Sequence, residues 1–203
     1  MNKKTVVLAT NNPDKVREIK NIWRGIPNLK IEWMGDFKDL GEAAEDGSTL
    51  RENAFKKADY VTAGTGLPAV ADDTGLFVDF LGGRPGIHSA RYAGDEAAYA
   101  DNIDKLLREM KGVPDKKRTA EFKTSVCLTL PGQEPFFTRG VVKGRITKRK
   151  KGSSGFGYDP VFEVSETGKT YAQMPPEEKD RLSHRYKAFK MMGKIISSEV
   201  AKR

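Results

Sequence analysis

The chain has 203 residues, of which 37% are hydrophobic and 32% charged, enough for one sizeable α/β unit or two small lobes around a shared sheet, and too few for a multidomain machine. No stretch approaches the roughly 18 apolar residues of a membrane helix, and Val6-Val7-Leu8-Ala9 is shorter than a secretory signal core of about 7–15 residues. A cytoplasmic chain with no membrane contact is therefore expected. Lys and Arg number 36 against 28 Asp and Glu, a net charge of +8 that points to an anionic partner: nucleic acid, a phosphorylated metabolite or an anionic surface. The single cysteine, Cys127, excludes an internal disulfide and a cysteine-rich zinc cluster.

Lys4 to Ala9 reads as a buried strand entering the turn Thr10-Asn11-Asn12-Pro13, whose proline is placed to open a helix. That helix, about Pro13 to Trp23, carries Val16, Ile19 and Trp23 on one face, and Leu29 to Met34 follows as a second strand. After a loop over Gly41 to Gly47, Thr49-Leu50-Arg51-Glu52 has capping-box spacing. Leu50, Ala54, Ala58 and Val61 then recur at helical period until Gly64 and Gly66 stop the helix. Ala69 to Ala71 and Gly75 to Phe80 are predicted as short strands interrupted at Asp72-Asp73-Thr74, with a loop over Gly82 to Gly86. Asp95 to Lys111 reads as a helix with Ile103, Leu106, Leu107 and Met110 inward. From Ala120 to Leu130 the even positions share one strand face, and Pro131-Gly132 turns the chain into an antiparallel partner over Phe136 to Ile146. A short strand at Val161 to Val164 precedes one last helix opening near Pro176, with Leu182, Tyr186, Phe189, Ile196 and Val200 inward.

Four segments could carry chemistry. Thr10-Asn11-Asn12-Pro13-Asp14-Lys15 could hold a phosphate on backbone N–H groups with Lys15 beside it, although Asn before Pro is also an ordinary helix cap. The acids Glu42, Glu45, Asp46, Asp72 and Asp73 could hold magnesium, since buried carboxylates need a cation or donors; the alternative is capping and turn duty. Side chains of adjacent strand residues point to opposite faces, so Asp72 and Asp73 could share one ion only if the strand ends or bends there. Gly155-Phe156-Gly157-Tyr158-Asp159-Pro160 could expose a ring for stacking on a nucleobase, or turn its aromatics into the core. Ser183-His184-Arg185 could contact a base edge or phosphate, or be solvated helix. The run Lys148-Arg149-Lys150-Lys151 reads as a solvated loop, with polyphosphate or nucleic-acid attraction as the alternative.

The ordered set ATNNPDKVREI, EDGSTLRENAFKKA, AVADDTGLFVDFLGGRPGIHSARYAG, GFGYDPVF and EEKDRLSHR closely resembles the inosine triphosphate pyrophosphatase family, from Val6 to about Ala188. That resemblance implies an elongated mixed sheet flanked by helices, two lobes with a cleft between them, and a homodimer. It implies Mg²⁺-dependent hydrolysis of ITP, dITP or XTP to the monophosphate and pyrophosphate, with no stable nucleic-acid complex. Matched to the family, Thr10, Asn11, Asn12, Pro13, Asp14 and Lys15 form the triphosphate-binding turn. Glu45 and Asp73 are magnesium-linked acids, with Asp72 as a further acid for the metal site, and Asp73 is the catalytic proton acceptor. Thr74 contacts substrate, and Phe156, Gly157, Tyr158, Asp159, Lys179, His184 and Arg185 form the nucleotide and base pocket. The sequence departs from the family at Asn11, where glycine or serine is more usual, at Thr74 in place of serine, and at His88 in place of tyrosine.

Overall fold

The computed structural model describes residues 4–37, 40–41 and 43–200, so Glu42 lies outside the described residues. The first strand, β1 (Lys4–Leu8), leads through the Asn-rich turn into α1 (Pro13–Ile22), and β2 (Leu29–Trp33) follows. Asn12 Oδ1 accepts the N–H groups of Asp14 at 2.9 Å and Lys15 at 3.3 Å, while Pro13 removes a donor the first turn cannot use. In α2 (Leu50–Thr65), Thr49 Oγ1 caps Glu52 N, and Glu52 returns to the N–H of Ser48, one residue before the reciprocal partner of a capping box. Gly66, at φ +68°, ends this helix, while Gly64 stays inside it.

The next strand, β3 (Ala69–Val78), runs unbroken through Asp72, Asp73 and Thr74, contrary to the predicted interruption. Both aspartates are buried but held by cations and an amide donor, so their burial does not force the strand to end. The glycine-rich segment after β3, read as a loop, ends in a short strand. Its β4 (Pro85–Gly86) pairs antiparallel with β3, setting Leu76 opposite Gly86. A Cβ at Gly75 would strike the Gly86 carbonyl, so this close pairing needs glycine. The helix α3 (Tyr99–Glu109) starts four residues later than expected, where Asp101 accepts the N–H of Ala98 at 2.9 Å. Strands β5 (Thr119–Thr129), β6 (Phe136–Ile146) and β7 (Phe162–Val164) follow as predicted in place and order. The last predicted helix is two: α4 (Pro176–Leu182) and α5 (His184–Glu199), parted by Ser183 in an extended conformation at φ −69°, ψ 151°.

The sheet order is β2-β1-β3-β5-β6-β7, with β4 on β3; β1 runs parallel to both neighbours, while β6 and β7 are antiparallel. This is a mixed α/β fold. Contacts divide the chain into two compact units, residues 1–73 with 124–140 and 185–203, and residues 74–123 with 141–184. In the first unit the period of two along the strands sorts side chains to two helical layers. Val6, Leu8, Val70, Val126 and Leu128 pack with α1 and α5, while Val7, Ala69, Ala71 and Cys127 pack with α2. In the second unit Ile103, Leu106 and Met110 of α3 join Leu76, Val78, Phe122, Ile146 and Phe162 in one core.

Buried Arg118 anchors that second core by donating to the carbonyls of Ile146 at 2.6 Å, Met110 at 2.7 Å and Thr147 at 2.8 Å. Arg118→Met keeps the aliphatic stem and removes the donor from these carbonyls, of which that of Met110 keeps the Val113 N–H at 3.3 Å, so urea unfolding is expected to show a loss of about 3 kcal/mol. Unchanged stability would mean that those carbonyls find other donors.

Candidate active site

Strand parity decides what the paired aspartates do. Asp72 shares the face of Val70, toward α1 and α5, and its Oδ2 lies 3.0 Å from Lys15 Nζ and 3.8 Å from Arg185 Nε. Arg185, in the first turn of α5, is itself paired with Glu18 of α1. Burial alone would raise the Asp72 carboxyl, but Lys15, Arg185 and Lys57 hold it well below the usual carboxylate range. Burial pulls the Lys15 ammonium down from its ordinary value, against the attraction of Asp72.

Asp73 shares the opposite face, with Ala71, toward α2. Its Oδ2 accepts from Asn53 Nδ2 at 3.0 Å, and its Oδ1 lies 3.5 Å from Lys57 Nζ. Lys57 also reaches Glu45 Oε1 at 2.7 Å, so two carboxylates converge on one ammonium. Asn53 does a second service, its Oδ1 accepting the Gly47 N–H at 2.8 Å, which ties the acidic loop carrying Glu45 to the helix beside β3. Burial pushes the Asp73 carboxyl up despite Lys57 and Asn53, whereas Lys57 outweighs burial at Glu45 and holds it down. Asp46 is exposed and paired with Lys56.

Two hard-oxygen carboxylates facing a common cation are a donor set suited to a divalent ion such as magnesium. Glu45 and Asp73 therefore fit such an ion, with Lys57 marking the point at which they meet. Among the described residues no group of three or more His, Cys, Asp and Glu gathers as a metal site. Asp72, on the other face of an unbroken strand, has the lysine and arginine as its ion partners instead.

The Thr10 to Lys15 turn is a helix cap in this structure. Asn12 N donates to Thr10 Oγ1 at 3.2 Å, Asn11 is exposed, and Asp14 pairs with Arg17 on the helix surface. With the N–H groups of Asp14 and Lys15 taken by Asn12, Lys15 Nζ is the cation this segment brings toward the buried aspartate.

In the second unit, Asp159 Oδ2 accepts from Phe156 N at 2.9 Å and from Lys179 Nζ at 2.7 Å, and the same ammonium stands 4.7 Å from the Phe156 ring centroid. Gly155, at φ +78°, makes room, because a Cβ there would meet the Asp159 carboxylate. Phe156 is half-buried, while Tyr158 is turned into the core with its hydroxyl donating to the Ser89 carbonyl at 3.0 Å. Of the two sequence readings, the inward one holds for Tyr158, while the Phe156 ring is half-buried beside Lys179. Gly157 takes φ +58°, Thr74 is half-buried on β3, and His184 stacks on Phe122 at 4.5 Å between centroids and 10° between planes. Gly155→Ala is expected to displace Asp159 and with it Lys179 and Phe156; if this loop binds substrate, KM rises about tenfold or more with a smaller change in kcat. An unaltered KM would show that the loop does not touch substrate.

The lysines of the basic run each face a carboxylate, Lys148 on Asp115 at 2.9 Å, Lys150 on Asp104 at 2.7 Å and Lys151 on Glu163 at 3.0 Å. Sequence reasoning did not single out Asn53, Lys57 or Glu18. Asn53 and Lys57 did leave a trace, as polar residues at i and i+4 inside the apolar stripe Leu50, Ala54, Ala58, Val61.

A mixed sheet with helices on both faces, its central strand carrying two buried acids to opposite layers, defines an α/β protein with a cation-rich acidic site. Residues 6–195 match the Ham1 family, and the chain belongs to that family. It is 46% identical over 187 residues to the dITP/XTP pyrophosphatase of Geobacillus kaustophilus, covering 91% of this chain and 90% of that protein. The dITP/XTP pyrophosphatase of Bacillus subtilis is 40% identical over 197 residues, 96% of this chain and 98% of its own. The fold is similar to the Ham1 protein of Staphylococcus aureus, with a TM-score of 0.86 at 35% identity over 97% of this chain and 100% of that one. For the Ham1 protein of Coxiella burnetii the TM-score is 0.87 at 35% identity, over 96% and 98%.

Proposed function

We propose that this chain hydrolyses the non-standard purine nucleoside triphosphates ITP, dITP and XTP to the monophosphate and pyrophosphate, with Mg²⁺, the activity for which its relatives are named in part. The observation that carries this reading is the division of labour at β3. One aspartate is held ionised beside Lys15 and Arg185, and its neighbour is raised by burial and faces Glu45 across Lys57.

Water attacks the α-phosphorus and the bridging bond to the β-phosphate breaks. Asp73 takes the proton of that water or orients it. Asn53 holds the carboxylate in orientation through its 3.0 Å hydrogen bond. Glu45 and Asp73 would hold Mg²⁺, which when bound supplies Lewis-acid charge to offset that of the departing pyrophosphate. Lys15 meets the phosphates, and Asp72 serves as its anchor, so the rate gain comes from positioning and electrostatics. On the base, Phe156 offers a stacking face, and Lys179 and His184 offer donors to the 6-oxo group of hypoxanthine or xanthine. Adenine, with a 6-amino donor there, would leave each buried donor unmatched at about 1–3 kcal/mol. Guanine is refused at its 2-amino group.

The membrane has no part in this reading, and no helix among the described residues is long and apolar enough to cross one. No stable nucleic-acid complex is part of it either; Lys148, Lys150 and Lys151 each pair with a carboxylate, which reduces the bare charge of the basic run. The protein acts in the cytoplasm as a homodimer, which light scattering on the purified chain tests directly. The activity itself is tested by measuring pyrophosphate and monophosphate from ITP, dITP, XTP, ATP and GTP, with and without Mg²⁺. Equimolar products and a kcat/KM for ITP and XTP orders of magnitude above that for ATP and GTP are expected. Release of orthophosphate, or equal efficiency on ATP and ITP, overturns the reading.

A further inference from the structure

Tyr99 opens α3, and the residue is 45% exposed although the turn that carries it is held by hydrogen bonds and core packing. Asn102, one turn on, accepts the N–H of Ala93 at 2.7 Å and donates to the carbonyl of Ala90 at 3.0 Å, while Ile103 and Leu106 sink into the core. The helix start therefore has little freedom, and it delivers the Tyr99 ring to 6.0 Å from the Phe156 ring, centroid to centroid, at 36° between planes. Phe156 is fixed from its other side of the chain by Asp159, which accepts its N–H, and has Lys179 Nζ 4.7 Å from its centroid. Two rings on separately anchored segments thus stand within aromatic-pair range, neither stacked flat nor edge-on. Keeping a large ring exposed on a rigid turn, next to a second ring on a glycine-flanked loop, is the arrangement of a stacking surface rather than of a core.

We propose that Tyr99 is a second aromatic contact for the purine base, extending the Phe156 surface and contributing to nucleotide affinity; this rests on the nucleotide reading above. Stacking on a π-face does not depend on the 6-substituent, so Tyr99 strengthens binding of every purine nucleotide alike. Discrimination between 6-oxo and 6-amino bases stays with hydrogen-bond donors. The contact is remote from the α-phosphorus and equally present in ground and transition states, so its loss appears in KM more than in kcat.

The test compares the unaltered protein with Tyr99→Ala and Tyr99→Phe. In the alanine variant KM for ITP and Kd for IMP by calorimetry are expected to rise about five- to thirtyfold, with the ITP to ATP ratio of kcat/KM preserved. Phenylalanine is expected to restore both values, and inhibition by inorganic tripolyphosphate, which has no base, to stay the same in all three proteins. If the unaltered protein turns over ITP while Tyr99→Ala leaves KM and the IMP Kd unchanged, the inference falls and the function stands. Equal weakening of tripolyphosphate, or no rescue by phenylalanine, also overturns it, because the ring would then act on the fold. If the unaltered protein releases no pyrophosphate from ITP, both readings fall together.

Discussion

Asp73→Asn is expected to lower kcat by about 10²–10⁴, the scale of a lost general base, while the protein stays folded. The amide has the shape of the carboxylate and still offers an oxygen to Asn53 Nδ2, and Lys57 keeps Glu45 at 2.7 Å. What disappears is the negative charge that faces Lys57 and the proton acceptor that burial has pushed up. Because Asp73 is also one of the two carboxylates proposed to hold Mg²⁺, the concentration of Mg²⁺ needed for half-maximal rate should rise too, so kcat is read at saturating Mg²⁺ and substrate. Pyrophosphate release, read beside a thermal unfolding scan, separates these effects. A folded variant with near-normal kcat would remove Asp73 from the chemistry.

Lys15→Ala carries the second large effect, on kcat and KM together, because an ammonium on the phosphates gains strength as charge grows on the leaving group. Loss of one such charge is expected to lower kcat/KM by about 10²–10³. It also takes from Asp72, 2% exposed, the ammonium 3.0 Å from its Oδ2, while Arg185 Nε stays at 3.8 Å. A fall in stability of about 1–3 kcal/mol should accompany the loss of rate. The double variant Lys15→Ala, Asp72→Asn separates the two causes. Removing both charges should recover much of the stability and none of the rate if Lys15 meets substrate. Recovery of rate with stability would show that the lysine only supports the fold.

Local chemistry made much of this chain legible before any coordinates. The Asn12-Pro13 cap, the Thr49 cap, the left-handed Gly66 stop and the alternation from Ala120 to Leu130 all act within a few residues, so β1, α1, α2, β5 and β6 fall close to where the pattern puts them. The order of the motifs was enough for the family resemblance, which the match over residues 6–195 bears out. The failures lie where distant groups act. Asp72-Asp73 looks like a strand breaker to a reader of neighbours, yet β3 continues because Lys15, Lys57 and Asn53 arrive from α1 and α2 to satisfy the buried acids. Ser183 is of the type that caps a helix start, but one serine within a helical pattern does not separate a cap from a helix interior, and only the structure divides α4 from α5 there.

By itself, then, the sequence determined β1, α1, α2, β5 and β6, the caps that bound the two helices, and the set of residues from which a nucleotide site can be drawn. The tertiary structure alone decided which acid faces which helix. Strand alternation sends Asp72 to Lys15 and Arg185 and Asp73 to Asn53 and Lys57, and neither choice can be read until the register of β3 and its two helical layers are known. Arg185 is 167 positions from its partner Glu18, and Asn53 is 20 from Asp73. Ion pairs and hydrogen bonds depend on distance in space, and a chain states only distance along itself.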